Sequence, residues 1–341
     1  MAIYSGSGVI TDSADGTFSD GSVETLKIGA PALEFAVMQG SVSLFVSGGY
    51  LNPSIFGTQI DKFPIAISSG TSTDTGGDLS VGRYGLSGHS SSDDGFNTGG
   101  YQTGFNYSTV MEKFPFAITS GTSTPIGNLT IASSFSSSHS SPTDGFTAGG
   151  DPSSGGIRIE KFPFSQTSGS ATDVGDLSQQ RRGLDGSSST EEGFAMSGTF
   201  PSSTYFTTID KFPFSISSGT ATDVGDLNVG REFVFGNSST TSGFSAGGFS
   251  SPGFGDASEI DKFPFAISSG TATDVGDLSE TRGKGGAANS QTDGFCFGSS
   301  NGPPTNEEGI DKYPFSISSG TATSVGTLGT PTYSYPAGHQ D

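Results

Sequence analysis

The sequence predicts an all-β chain folded as a β-propeller, and three observations predict it. A phrase of about 50 residues recurs six times, turn residues punctuate every junction within it, and no stretch offers a helical period over ten residues. The fullest copy, Ile260 to Ser279, reads IDKFPFAISSGTATDVGDLS. Its lysine recurs as Lys62, Lys113, Lys161, Lys211, Lys262 and Lys312, in steps of 51, 48, 50, 51 and 50 residues. Six of the chain's eight lysines are therefore scaffold residues rather than a basic patch. Phe45, Phe96, Phe146, Phe194, Phe244 and Phe295 keep the same step, each just before a pair of small residues. A third phrase, GDLxxxR, places Arg83, Arg181, Arg231 and Arg282 five residues after an aspartate.

Each period divides into four short strands. The first follows the arginine and is small and polar, as in RYGLSGHS, and the second is GFNTGG. The third is IDKFPFAI, where Ile, Lys and one Phe alternate with other side chains at period two, and the fourth is DVGDLS, entered through SSGTAT. A proline inside the third strand cannot donate to a ladder, which predicts an outer position or a bulge. Four strands in about 50 residues, repeated, is the arithmetic of a propeller blade. The ends continue the pattern: TPTYSYPAGHQD aligns with the first strand GRYGLSGHSSS, and VETLKIGAPALEFAV aligns with a fourth strand passing into a first. Residues 1–31 and 330–341 are thus expected to form one closing blade within a single domain spanning 1–341. Seven blades are expected in preference to six, and sharing a blade between the ends would hide both sheet edges.

Composition narrows the function. The 14 Lys and Arg against 34 Asp and Glu give a formal charge of −20, a field that repels nucleic acid and anionic membranes. The 28 Phe argue against disorder despite 54 Gly. The single cysteine, Cys296, excludes an intrachain disulfide and reads as a small buried hydrophobe in GFCFGS. The start, MAIYSGSGVITDSADG, shows no signal peptide, and no apolar run approaches a membrane span, so no membrane insertion is expected.

No catalytic, metal or cofactor site is expected. His89, His139 and His339 differ by whole multiples of the repeat, which puts them at one position on first strands, facing the central channel. The pairs Asp173 and Asp176, Asp223 and Asp226, and Asp274 and Asp277 could offer carboxylates to calcium, or could cap turn amides with the second Asp paired to the arginine five residues on. Neither a recurring Ser/His/Asp spacing, a P-loop nor HExxH is present. The informative signal is the contrast between links. SSGTATD barely changes between copies, whereas the second-to-third-strand link changes completely, from YQTGFNYSTV to TFPSSTYFTT. One face is constant and the other diversified. Tyr101, Phe105, Tyr107, Tyr205 and Phe206 on the diversified face are the candidate ligand-binding residues, suited to stacking on sugars or anchoring a protein.

The order Gly-Gly, aromatic strand, turn and Arg resembles the kelch repeat, although the chain has no Trp, and Phe-Pro-Phe takes over inter-blade packing in this reading. The longer phrase GYxxGG…IDKFPF…TDVGDL…R resembles repeats in structural proteins of marine bacteriophages, especially those infecting cyanobacteria, over roughly residues 43–341. The copies at Lys113, with TPIGNL and no following Arg, and at Lys312, with TSVGTL, depart from it. The resemblance implies a virion fibre, spike or decoration component with no catalytic role, binding a host surface glycan or another virion protein. A cytoplasmic or cell-surface kelch-type protein-binding scaffold is the alternative.

Overall fold

A computed structural model describes residues 40–341 apart from 53–54, 103, 105, 152–155, 201–203, 251–254, 299–307 and 330–333, together with 3–5 and 8–10. The chain divides into two compact units, Met1–Phe35 and Ala36–Asp341. In the first, Ile3–Ser5 pairs antiparallel with Gly8–Ile10. Among the described residues no helix is long and apolar enough to cross a membrane.

The second unit is all-β and propeller-like, built of small four-stranded antiparallel sheets. One of them pairs Asp185–Ser188, Glu192–Met196, Thr208–Pro213 and Thr222–Asp226 in chain order. Sheets opening on Ser87–Ser90, Ser137–Ser140, Phe235–Ser238 and Gly286–Asn289 repeat that order. A further sheet combines Ser43–Ser47, Gln59–Pro64 and Thr73–Asp78 with a first strand from far along the chain, Ala337–Gln340. The described residues therefore hold six such sheets. Most of the expected closing blade, residues 11–31 and 330–333, lies outside the described residues. What is described of it goes to other partners: Ile3–Ser5 to its own hairpin, and Ala337–Gln340 to Ser43–Ser47.

The proline of the third strand escapes the ladder differently from the expectation. The third strand is interior, paired on both sides, and Pro213 is its last residue, where its carbonyl accepts from Ile216 N at 2.9 Å. A bulge does occur, but between Ile209 and Asp210, facing the fourth strand. Opposite it stands Gly225 at φ 151°, where an added Cβ would meet the carbonyl oxygen of Gly270 at 2.5 Å. That close approach is the contact with the next sheet: Asp226 N donates to Gly270 O at 2.9 Å. Equivalent bridges, Gly77 to Gly121, Asn128 to Ser170, Asp176 to Thr220, Asp277 to Thr321 and Thr327 to Thr71, link each sheet to the next and the last to the first.

Phe-Pro-Phe packs the seams between sheets. Phe194 is stacked on Phe265 of the next sheet at 5.0 Å and tilted against Phe263 at 5.5 Å, with Ile209, Val224, Leu227, Ile267 and Ala272 closing the cluster. The same arrangement recurs from seam to seam, including Phe295 against Phe63 across the join of the last and first sheets. Each fully buried Phe contributes about 1.5–3 kcal/mol, and each ring pair about 0.5–1.5 kcal/mol more.

The four arginines are buried clamps. Arg181 Nη2 pairs with Asp210 at 2.7 Å, and Nη1 donates to the carbonyls of Ser197 at 2.8 Å and Thr208 at 2.9 Å. Arg231 pairs with Asp261, Arg282 with Asp311 and Arg83 with Glu112. The partner is thus the acid of the next third strand, not the aspartate five residues back. Burial pushes the guanidiniums of Arg83, Arg181 and Arg231 down, and the adjacent carboxylate holds them up. The first aspartates of the TDVGD pairs cap turn amides, as in Asp223 accepting from Gly225 N at 3.1 Å, while Asp226 accepts from Thr207 Oγ1.

Candidate functional site

Two rings of hydrogen bonds surround the space between the first strands. In one, Ser90 N donates to Ser140 Oγ, Ser140 N to Ser188 Oγ, Ser188 N to Ser238 Oγ, Ser238 N to Asn289 Oδ1, Asn289 N to Gln340 Oε1 and Gln340 N back to Ser90 Oγ. The other is made by backbone alone: Phe135 N donates to Gly85 O, Gly183 N to Phe135 O, Phe233 N to Gly183 O, Lys284 N to Phe233 O, Tyr335 N to Lys284 O and Gly85 N to Tyr335 O. All six residues of this second ring take positive φ, between 54° and 65°. Glycine does so freely, whereas Phe135, Phe233, Lys284 and Tyr335 do so at a cost of about 1–2 kcal/mol each.

That backbone brings three aromatic rings together beside the space between the first strands. Phe135, Phe233 and Tyr335 meet edge to face in every pairing, with centroids 5.4, 4.9 and 5.0 Å apart. Beneath them lies a cavity of about 120 Å³, lined by small and polar residues including Gly88, Ser140, Ser188, Ser238 and Asp185. The Asp185 carboxylate accepts from Gly186 N at 2.7 Å and Gly236 N at 2.8 Å, and burial pushes it up to about 7. Beyond the plug the rings continue outward as one half-buried platform. Tyr84 is stacked on Tyr101 at 5.5 Å and touches Phe135, Tyr335, Tyr50 and Phe56, and Tyr101 meets Tyr107 at 4.3 Å.

An arc of alternating charge borders the platform. Tyr107 donates its hydroxyl to Asp151 Oδ2 at 2.8 Å, and Arg182 Nη1 donates to the same oxygen at 3.0 Å. Burial, with Tyr101 and Asp151 adding to it, raises Tyr107 well above its ordinary range, so its proton stays on. Arg182 also faces Glu232, which burial raises while Arg182 and Lys284 hold it down. Lys284 Nζ lies 4.0 Å above the Phe249 ring. Aromatic faces beside bidentate-capable polar groups suit a ligand with an apolar face and hydroxyl edges.

Of the sequence-predicted residues, Tyr101 and Tyr107 fall in this platform. Phe105 lies outside the described residues. Tyr205 and Phe206 are half-buried in a separate link, where the Tyr205 carbonyl lies against Gly230 and Glu232 raises the phenol after burial. Sequence reasoning missed Phe135, Phe233, Tyr335, Asp151 and Arg182. A signal existed: in the repeat alignment Phe135 and Phe233 share a column with Gly85 and Gly183, an exchange that marks a left-handed position.

The histidines correct the expectation that they face the channel. His89, His139 and His339 point away from the cavity into the seams, with rings edge-on to Phe162, Phe212 and Phe114 at 5.0–5.2 Å. Each Nδ1 bonds to a carbonyl of the neighbouring first strand, of His139, Ser187 and His89 respectively. Burial drives them down to about 3, 4 and 4, so they are neutral. Cys296 is buried with its thiol pushed up, as a packing residue would be. Among the described residues no cluster of His, Cys, Asp or Glu is arranged to hold a metal ion. Neither protein-family models nor curated proteins match the chain.

Proposed function

We propose that the chain is a kelch-like β-propeller of six blades, closed by Ala337–Gln340, that serves as a non-catalytic recognition module of a virion and binds a host surface glycan on its diversified face. The two hydrogen-bond rings and the six bridges support the closed six-bladed reading over a seven-bladed one. A single observation carries the function: the contiguous aromatic platform and its charged arc sit on the face where the loops differ between copies. The resemblance to marine phage structural repeats supports the virion setting, and the −20 charge speaks against nucleic acid as partner. A glycan array probed with the purified protein tests the reading. Binding to defined glycans that persists at raised salt is expected. Binding to none, with a stoichiometric protein co-purifying instead, would replace it with the partner-binding scaffold.

A further inference from the structure

One column of backbone rings the cavity between the first strands. Gly88, Ser138, Gly186, Gly236, Ala287 and Gly338 hold the same register place on the six strands, and all six line the cavity. In an antiparallel pair alternate residues exchange the ladder bonds, and the residues between them turn N–H and C=O away from the partner strand. This column is of the second kind. Gly186 N and Gly236 N leave their sheets to donate to the two carboxylate oxygens of Asp185, at 2.7 and 2.8 Å. The carbonyls of the column rest on the neighbouring first strand, so that a Cβ added at Gly88 would strike Gly338 O and one added at Gly186 would strike Ser138 O. The amides are what the column turns to the cavity.

Two amides from neighbouring strands therefore make a fork that a carboxylate fills, one oxygen to each, and Asp185 demonstrates the fit. The ring of bonds from Ser90 through Gln340 fixes the order of the strands, and it places the fork of Gly338 N and Gly88 N half-way round from that of Gly186 and Gly236. Among the described residues neither Gly338 N nor Gly88 N donates to a protein acceptor. Asp185 and Lys284 are the charged side chains that line the cavity, one of each sign. The −20 of the whole chain is screened over about 10 Å at 0.1 M salt, whereas a fork acts at hydrogen-bond range. We propose that Gly338 and Gly88 form a binding site for a small monocarboxylate, each oxygen accepting from one amide as those of Asp185 do across the ring. A cavity of about 150 Å³ can hold benzene, and this one, of about 120 Å³, has room for an acid of a few carbons. The site is independent of the glycan reading, which uses the diversified loops.

The test is amide NMR of the isotope-labelled full chain, titrated with sodium acetate and, separately, with sodium chloride at matched ionic strength. The proteins are the wild type and Asp185→Ser, since serine stands at that register place as Ser87 and Ser137. In the wild type, acetate is expected to shift the Gly88 and Gly338 amide resonances to saturation, and chloride to leave them in place. In Asp185→Ser, acetate is expected to shift Gly186 and Gly236 as well, by filling the fork that the side chain has left. Unmoved Gly88 and Gly338 resonances in the wild type would overturn the site, even with Gly186 and Gly236 responding in the variant. Equal shifts with chloride would overturn the carboxylate class. Should Asp185→Ser fail to fold, the wild-type titration still decides.

Discussion

The two faces of the second unit are built from the same repeats and treat sequence in opposite ways. On the constant face the SSGTATD turn sends one side chain into the packing: Ala171, Ala221, Ala272 and Ala322 are buried there, and enlarging that residue would disturb a seam. On the diversified face the buried arginine does the anchoring, and it grips main-chain atoms. Arg181 holds the carbonyls of Ser197 and Thr208, the two feet of the 198–207 link, and Arg83 holds those of Gly99 and Val110 around the 100–109 link. A carbonyl is the same in every residue, so the link between the feet can take any sequence. Where it is present, the clamp thus holds a link without restricting its sequence.

Removing a clamp is the largest way to break that contrast. Arg181→Ala would leave Asp210 buried and unpaired, at about 3–5 kcal/mol. It should also open the 198–207 link to proteolysis before any other site, readable by limited digestion and urea melts. Cleavage elsewhere first would show that the link is held by something other than the clamp. The copy at Lys113 provides a natural contrast, with Ser133 where four copies carry Arg. Its buried Glu160 accepts from Thr130 N at 2.7 Å and feels Arg158 nearby. Glu160→Gln is expected to cost clearly less than Asp210→Asn, since no buried guanidinium is stranded.

On the constant face two glycines sharpen the comparison at an intermediate size. Gly225→Ala sets a Cβ against the Gly270 carbonyl and should cost more than 2 kcal/mol, whereas Gly219→Ala, at φ 106° with nothing within 4 Å, pays only left-handed strain of about 1 kcal/mol. Equal costs in chemical denaturation would mean that the bridge between sheets is not a packing contact.

Acid should loosen the seams by way of the histidines. Folded, they titrate near 3–4; unfolded, near 6.5, so between pH 6.5 and 4 the unfolded chain takes up protons that the folded one refuses. Stability falls with falling pH, by up to about 1.4 kcal/mol per pH unit per histidine. Asp185 opposes this: its folded carboxyl, near 7, keeps a proton that the unfolded chain releases above about 3.9, so its share is lost as pH rises through that window. Urea midpoints from pH 7 to 4.5 should drop for the wild type, drop less for His139→Gln and drop more for Asp185→Asn. A flat wild-type profile would show the imidazoles to be protonated when folded. The smallest expected effect is on the platform itself, where Tyr101→Phe, which keeps the ring contacts, should move stability by about 0.5 kcal/mol or less.

The repeat made much of this legible. Strand order, the Phe-Pro-Phe seams and the buried character of Cys296 follow from spacing and alternation, which local geometry obeys. The partner of the first edge was not legible, because two segments, within 23–37 and at 337–340, both read as a first strand and spacing does not choose between them; the structure gives Ser43–Ser47 to the second. The plug was hidden for another reason. The Gly85 and Gly183 column marks positive φ at Phe135 and Phe233, but the meeting of these rings with Tyr335 is a tertiary arrangement with no local propensity behind it. Likewise Arg182 and Asp151 stand 31 residues apart and meet only once two sheets are adjacent.

The pairing of Ala337–Gln340 with Ser43–Ser47 sets a schedule for biosynthesis. Leu44 waits on the ribosome-bound chain until Gln340 has been made, nearly three hundred residues later, and Asp341 then caps the amides of Ser41, Val42 and Ser43. Until that moment one sheet has a bare edge, so nascent or prematurely terminated chains are the species most exposed to joining one another edge to edge.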